Sequence, residues 1–352
     1  MKSDIKYAGI DLHQSSCVIE IQDERGSVLG QSIIKTEEKT LRSFFRGLSG
    51  PIHAAFEVGT QSAWLHEILK PVVSSVTVSD IRKLKRRGNK SDRIDAHQLA
   101  TWLRMGELQK VYQGGRSTRK LRDLAHGYLA TVNDSVRVMN RIKGLYRSWA
   151  IRCSGRNVYY KRNREEWLSK FPIRESGMRA SLYYEQLDLL KEQRKKTKKA
   201  FLKEARGYPI QKILRGIPGF GPLRSAFAIA VMGTPHRFRT KRQLWSYSGL
   251  SVVIHSSSDY EIGPRGIIRK VHRHSTRGLI RDYNRILKMV FKGAAQEAIK
   301  RDPIKTIYRK KVEKGMRPEM ALLSVARRIA AITLILWKRG EKFDVAKLIS
   351  IN

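Results

Sequence analysis

The stretch KYAGIDLHQSSCVIEIQDERGSVLGQSIIKT, residues 6–36, decides the fold. It holds three apolar, β-rich runs, KYAGIDL (6–12), SCVIEIQD (16–23) and SVLGQSIIKT (27–36), with the turn residues ERG at 24–26 between the last two. Runs of this length bounded by turn residues predict a meander of three strands. Outward from it, TEEKTLRSFFRGLSG (36–50) predicts a helix, with Thr36 as N-cap and Gly50 near its stop. IHAAFEV (52–58) reads as a buried strand, SAWLHEILKPV (62–72) as a helix and SSVTVSD (74–80) as another strand.

Three strands followed by alternating helix and strand is the order of an RNase H-like domain. Four carboxylates fall at telling places in it. Asp11 sits in the first strand and Glu57 at the end of the fourth. Asp92 and Asp95 lie in SDRIDAHQLATWLRMGEL (91–108), a predicted helix with Ser91 as its cap. Residues three apart on a helix share one face. Acids are scarce here, with 31 Asp and Glu against 71 Lys and Arg. Taken singly, each has a plainer reading: a turn residue, a helix cap, or an ion-pair partner for Arg93 or Lys90. Taken together they suit a Mg2+ centre for phosphodiester chemistry. Mg2+ takes hard oxygen ligands and keeps several waters, so a few carboxylates suffice. Two such ions about 3.5–4 Å apart serve the attacking and leaving oxygens of an in-line displacement.

Length and composition set the frame. A chain of 352 residues predicts two or three domains, and 41% hydrophobic residues are enough for real cores. A formal net charge of +40 implies a polyanion partner, most often nucleic acid. The basic residues are spread along the chain and not gathered on one amphipathic helix, which argues against a membrane surface. Two cysteines, Cys17 and Cys153, exclude a disulfide framework and a Cys-rich zinc site. They fit a reducing, cytosolic setting. The start, MKSDIKYAG, lacks the apolar core of a signal peptide. VARRIAAITLILW (325–337) is interrupted by Arg327 and Arg328, and is expected to be a buried amphipathic helix too short to span a bilayer.

Nucleic-acid contacts are expected at three places. The first is the basic loop IRKLKRRGNK (81–90), with Arg86, Arg87 and Lys90. The second is a long helix in which Leu121, Leu124, Tyr128, Val132, Val136, Met139, Ile142 and Tyr146 recur at three- and four-residue steps. Arg137, Arg141 and Lys143 are its candidate contacts, and SLYYEQLDLLKEQRKKTKKAFLKEA (181–205) is its expected antiparallel mate in a helical or coiled-coil arm. The third is SVVIHSSSDYEIGPRGIIRKVHRHSTRGLIRD (251–282), where Arg265, Arg269, Lys270, Arg273 and Arg277 could bind phosphates. Its serines Ser256, Ser257 and Ser258 are, on the residues alone, better read as a polar loop, although a serine can attack a phosphodiester. Between the second and third places, ILRGIPGFGPLRSAFAIAVMG (213–233) predicts two short helices joined by GIPGFG, like a helix-hairpin-helix. Glycines there let backbone N–H groups approach a phosphate.

The order of these pieces resembles the DEDD transposases of bacterial insertion sequences, a family of bridge-RNA-guided recombinases. GIDLH (9–13), AFEVGT (55–60) and KSDRIDAHQLA (90–100) carry the D-E-D-D order. IPGFGPLRSAFAIAVMGTPHRFRTKRQLWSYSGL (217–250), HSSSD (255–259) and RGIIRKVHRHSTRGLIRD (265–282) carry the C-terminal half. The resemblance implies a RuvC-type, RNase H-like metal domain over 1–110, a basic helical or coiled-coil arm over 111–208, and a mostly helical transposase domain with a serine loop over 209–352. It implies that Asp11, Glu57, Asp92 and Asp95 ligate Mg2+, and that a serine attacks DNA. The family's loop reads Ser-Ser-Gly or Ser-Thr-Gly. Aligning on Gly249 and Leu250 puts Ser256 on the nucleophile, with Ser257 next in line. Ser258 stands in place of the glycine, and Ser251 with Val252 in place of a step that contains proline. The implied partners are donor and target double-stranded DNA, a structured non-coding bridge RNA, and further copies in a homodimer or homotetramer, with no membrane. The implied place of work is the bacterial cytoplasm, at the nucleoid when active. Two rivals remain. A Mg2+-dependent nuclease such as a junction resolvase would use the same acids to activate water and would not need the serines. A binding scaffold would need neither.

Overall fold

A computed structural model describes residues 4–84, 91–255, 260–262, 266, 268–270 and 275–345. The chain divides into two compact units, Met1–Gly115 and Arg116–Asn352.

The first unit is built on one mixed sheet. Strands β1 (Lys6–Leu12), β2 (Ser16–Gln22) and β3 (Val28–Lys35) form the expected antiparallel meander. Helix α1 (Glu38–Arg46), strand β4 (Ile52–Glu57), helix α2 (Ser62–Leu69) and strand β5 (Ser75–Ser79) follow. β4 runs parallel to β1, and β5 parallel to β4, so the strand order is β3-β2-β1-β4-β5. A one-turn 3-10 helix, Ile81–Lys83, leads towards helix α3 (Asp92–Arg104), which packs on β1, β2 and β4. Leu41 and Phe45 of α1 and Leu65, Ile68 and Leu69 of α2 bury in one core with the sheet residues Ala8, Ile10, Ile19 and Phe56.

One helix start differs from expectation. α1 is capped by the backbone of Glu37, not by Thr36. The Thr36 hydroxyl instead donates to the carbonyl of His13, 2.9 Å away, tying the end of β3 to the β1–β2 turn. The helix also stops early, with Gly47 as its C-cap; Gly50 lies just before β4, at a φ of +77° that favours glycine.

The second unit is mostly helical. α4 (Arg116–Ser148) and α6 (Arg174–Arg206), joined through the short α5 (Arg164–Leu168), pack along each other. They are antiparallel. The Tyr208 hydroxyl just past α6 donates to the Ser117 carbonyl, while at the far end the Trp149 indole donates to Ser176. That far end has its own core, where Tyr146 stacks on Phe171 and Tyr184 is fully enclosed. Val136 departs from the expected apolar stripe. It is 49% exposed, and the buried positions beside it are Ser135 and Val138.

At the near end, Leu121, Ala125 and Tyr128 of α4 and Phe201 and Ala205 of α6 enter the C-terminal core. That core holds α7 (Ile210–Arg215), α8 (Pro222–Met232), α9 (Lys241–Tyr247), α10 (Arg285–Ala298), α11 (Ile304–Glu313) and α12 (Pro318–Arg339). α7 and α8 are the two short helices expected about GIPGFG. Gly219 there sits at φ +80°, and a Cβ on it would run into the carbonyl of Ala294 on α10, so its bareness serves close packing. α12 extends well beyond the apolar stretch 325–337. Its length and composition would in themselves let it cross a membrane, contrary to the expectation that it is too short. Most of it is buried in the helical core, through residues such as Ala326, Ile329, Ala330 and Leu334. Short strands β6 (Val252–His255), β7 (Tyr260–Ile262), β8 (Ile268–Lys270) and β9 (Ser275–Leu279) pair as β6 with β9 and β7 with β8, both antiparallel.

Candidate metal centre

Strand register brings the first two acids together. Ile10 of β1 pairs with Phe56 of the parallel β4, so Asp11 and Glu57 are the next residues along two adjacent strands. The third and fourth come from α3. Ser91 caps this helix, its hydroxyl accepting from the Ile94 N–H at 3.3 Å. Asp92 and Asp95 stand in its first turn, where the helix dipole favours negative charge. α3 can lie directly on the sheet because residue 9 is glycine: a Cβ there would run into the backbone of Ala96 and Ala100.

The result is a cavity of about 610 Å³ lined by Asp11, His13, Glu57, Ile81, Arg82, Leu84, Asp92 and Asp95. All four acids expected to act together therefore face one space. His13 was not anticipated. Its Nε2 lies 3.1 Å from Asp11 Oδ2 and 3.3 Å from Asp92 Oδ2. One ligand atom from each of Asp11, His13 and Asp92 falls within 4.8 Å of the others, a grouping that can hold a metal ion. Arg82 is the second unanticipated member. Asp80 accepts from its Nε at 2.8 Å and its Nη2 at 2.5 Å, fixing a guanidinium at the wall of the acidic cavity. A strand-end histidine two residues after Asp11 is the one sequence signal that could have found His13. Nothing in the spacing singles out Arg82 within its basic run.

The electrostatics suit a cation. Burial pushes the Asp11 carboxyl above the usual carboxylate range, His13 pulls it back, and the charges of Asp95 and Asp92 push it up again. A half-buried carboxylate crowded by two others favours a cation beside it, and an oxygen-rich donor set of this kind fits a divalent ion.

The other expected contacts are scattered. Arg137 and Arg141 are exposed on α4, and Arg137 pairs with Asp134 at 2.7 Å. Lys143 is half-buried, its ammonium 5.5 Å from the centre of the Tyr159 ring, so part of it serves the arm's own packing. Arg86, Arg87, Lys90, Ser256, Ser257, Ser258, Arg265 and Arg273 lie outside the described residues. Arg269 and Lys270 fall on β8 and Arg277 on β9, with only their backbones described.

Residues 8–148 match the family model of a DEDD-type transposase of the IS110 kind. Residues 211–309 match the model described as transposase IS116/IS110/IS902 family. The first match contains all four acids, and the second runs from α7 into α11. No curated protein matches the chain. Two models of one family, in the same order as the two motif sets and covering most of the chain between them, lead to one conclusion: this protein belongs to the IS110 family of insertion-sequence transposases.

Proposed function

We propose that this transposase recombines DNA through a covalent serine intermediate, assisted by a Mg2+ centre in an RNase H-like domain. The observation that carries the reading is the convergence of Asp11, Glu57, Asp92 and Asp95 on one cavity from two strands and a helix. Those four residues would hold the divalent cation, which supplies Lewis-acid stabilisation of the phosphate oxygens. Arg82, aimed by Asp80, would hold a phosphate against the acidic wall. The oxygen of Ser256, or of Ser257, would form the new bond to phosphorus. The displaced DNA oxygen leaves and takes up a proton, and a hydroxyl from the other DNA reverses the step, freeing the serine.

In this reading residues 1–110 carry the metal acids, 111–208 the basic arm and 209–352 the serine. The charge of +40 suits a protein that holds a structured bridge RNA and two duplexes, donor and target, in the cytoplasm. A guide RNA divides the labour: base pairing reads sequence, and the protein reads backbone and shape. A homodimer or homotetramer would set the acids of one copy opposite the serine of another.

The test is incubation with the element's end DNA, its flanking RNA and Mg2+, followed by a denaturing gel. A protein–DNA adduct is expected in the wild type. It should be lost in Ser256→Ala or in Ser257→Ala, naming the nucleophile, and in Asp11→Asn. Cleavage without any adduct would replace this mechanism by water-using hydrolysis.

A further inference from the structure

The geometry points to His13 as a direct nitrogen ligand of the divalent cation. The centre is then a mixed nitrogen–oxygen site that binds a first-row transition ion, Mn2+ or Co2+, more tightly than Mg2+. The inference rests on the reading of the acidic cavity as a divalent-cation site that works with Mg2+, and adds to it one more ligand and the order of ion affinities.

Three observations carry it. The first is spacing. An ion with bonds of about 2.0–2.2 Å and right angles between them sets neighbouring donors about 3 Å apart. His13 Nε2 lies 3.1 Å from Asp11 Oδ2 and 3.3 Å from Asp92 Oδ2, so one nitrogen stands at that separation from two carboxylates. The second is rigidity. His13 directly follows β1, its N–H donates to the Ser16 carbonyl at 3.0 Å, and its own carbonyl accepts from the Thr36 hydroxyl at 2.9 Å. The backbone under the ring is thus held on both sides before any ion arrives. The third is access. The ring is half-exposed at the cavity, and among the described residues its polar neighbours are the two acids.

The consequence for selectivity follows from ligand chemistry. Mg2+ gains little from an imidazole and keeps its waters. Affinity for imidazole rises along the first-row transition series, and Co2+ stands above Mn2+ in it. One nitrogen among carboxylates therefore raises transition-ion affinity and leaves Mg2+ affinity nearly alone.

The test uses the full-length, tag-free protein with one equivalent of Mn2+, read by electron spin echo envelope modulation, which detects a directly bound nitrogen. A 14N coupling is expected in the wild type and should vanish in His13→Gln. In titrations, His13→Gln should weaken Mn2+ about tenfold or more, the scale on which changes around metal sites act, and Mg2+ by less than about threefold. Asp11→Asn serves as the control and should abolish Mn2+ binding. If Mn2+ binds and Asp11→Asn abolishes it but no 14N coupling is present, the carboxylate centre stands and the His13 ligand is refuted. The same holds if His13→Gln weakens both ions equally. If Mn2+ does not bind, or binds undiminished in Asp11→Asn, the cation reading itself falls and this inference with it. Should His13→Gln fail to fold, the wild-type spectrum alone decides.

Discussion

At residue 9 a side chain has no room, because its Cβ would run into the α3 backbone at Ala96 and Ala100. Gly9→Ala must therefore lift the helix that carries Asp92 and Asp95 off the strand that carries Asp11. Overpacking of this kind costs about 1–3 kcal/mol or more. Thermal melting of the variant should fall, and its divalent-ion affinity with it, as followed by calorimetric titration. Asp11 itself should behave in the opposite way. Its folded pKa is raised, mainly by burial, so the folded chain holds that proton more tightly than the unfolded chain. Stability is therefore lost as pH rises from the unfolded pKa through the folded one. In chelator at neutral pH, Asp11→Asn should melt no lower than wild type, while in a separate assay with Mg2+ present its strand cleavage falls about a hundredfold or more, on the scale of losing one charge-stabilising group. A melting curve beside a cleavage assay checks both. The four acids were legible in the sequence because carboxylates at strand ends and one turn apart on a helix are rare in so basic a chain. Gly9 and His13 were not. A steric demand shows only when the partner element is in place, and a histidine after a strand has many ordinary uses.

Helix α3 is pinned to the sheet by more than close packing. The buried carboxylate of Glu20 on β2 accepts from Gln22 at 2.8 Å and Gln31 at 2.5 Å, and lies 2.6 Å from His97 Nδ1 on α3. His97→Ala takes one partner from a buried acid, at a cost of about 1–3 kcal/mol, and urea unfolding of the full chain should register it in the first unit's transition. In the arm, two parallel bonds of 2.7 Å from Arg164 hold Asp188 well below the usual carboxylate range, at about 2. A depressed acid stabilises the fold above its unfolded pKa and loses that contribution as pH falls. The wild-type arm should therefore weaken between about pH 4 and the folded value, while Asp188→Asn stays flat there, as far-ultraviolet dichroism would show. The sequence located α4 and α6 well because an apolar repeat sustained over many turns is hard to mistake. It missed the pairing of β6 with β9 and β7 with β8, since strands of three to five residues among Ser, His and Arg carry almost no periodicity. Thr36 failed as a cap for a different reason: its hydroxyl found a partner in the β1–β2 turn.

For the whole molecule, charge sets the behaviour most directly. An excess of 40 positive charges predicts nucleic-acid binding dominated by phosphate contacts. If six to ten phosphates are engaged, affinity should fall by about 10³–10⁵ between about 50 and 200 mM salt. Filter binding across that range checks it, and a shallow slope would mean that few of these charges meet the backbone. Composition announced a polyanion but could not apportion the basic residues between RNA, DNA and the protein's own packing, as Lys143 over Tyr159 illustrates. The two long helices have a consequence of another sort. α4 and α6 are 33 residues each, close to 50 Å of helix, and they depart from and come back to the same core. They act as a beam clamped at one end. Its reach is then a dimension of its own, which evolution can lengthen or trim by whole turns, in both helices at once, without disturbing the chemistry at its root.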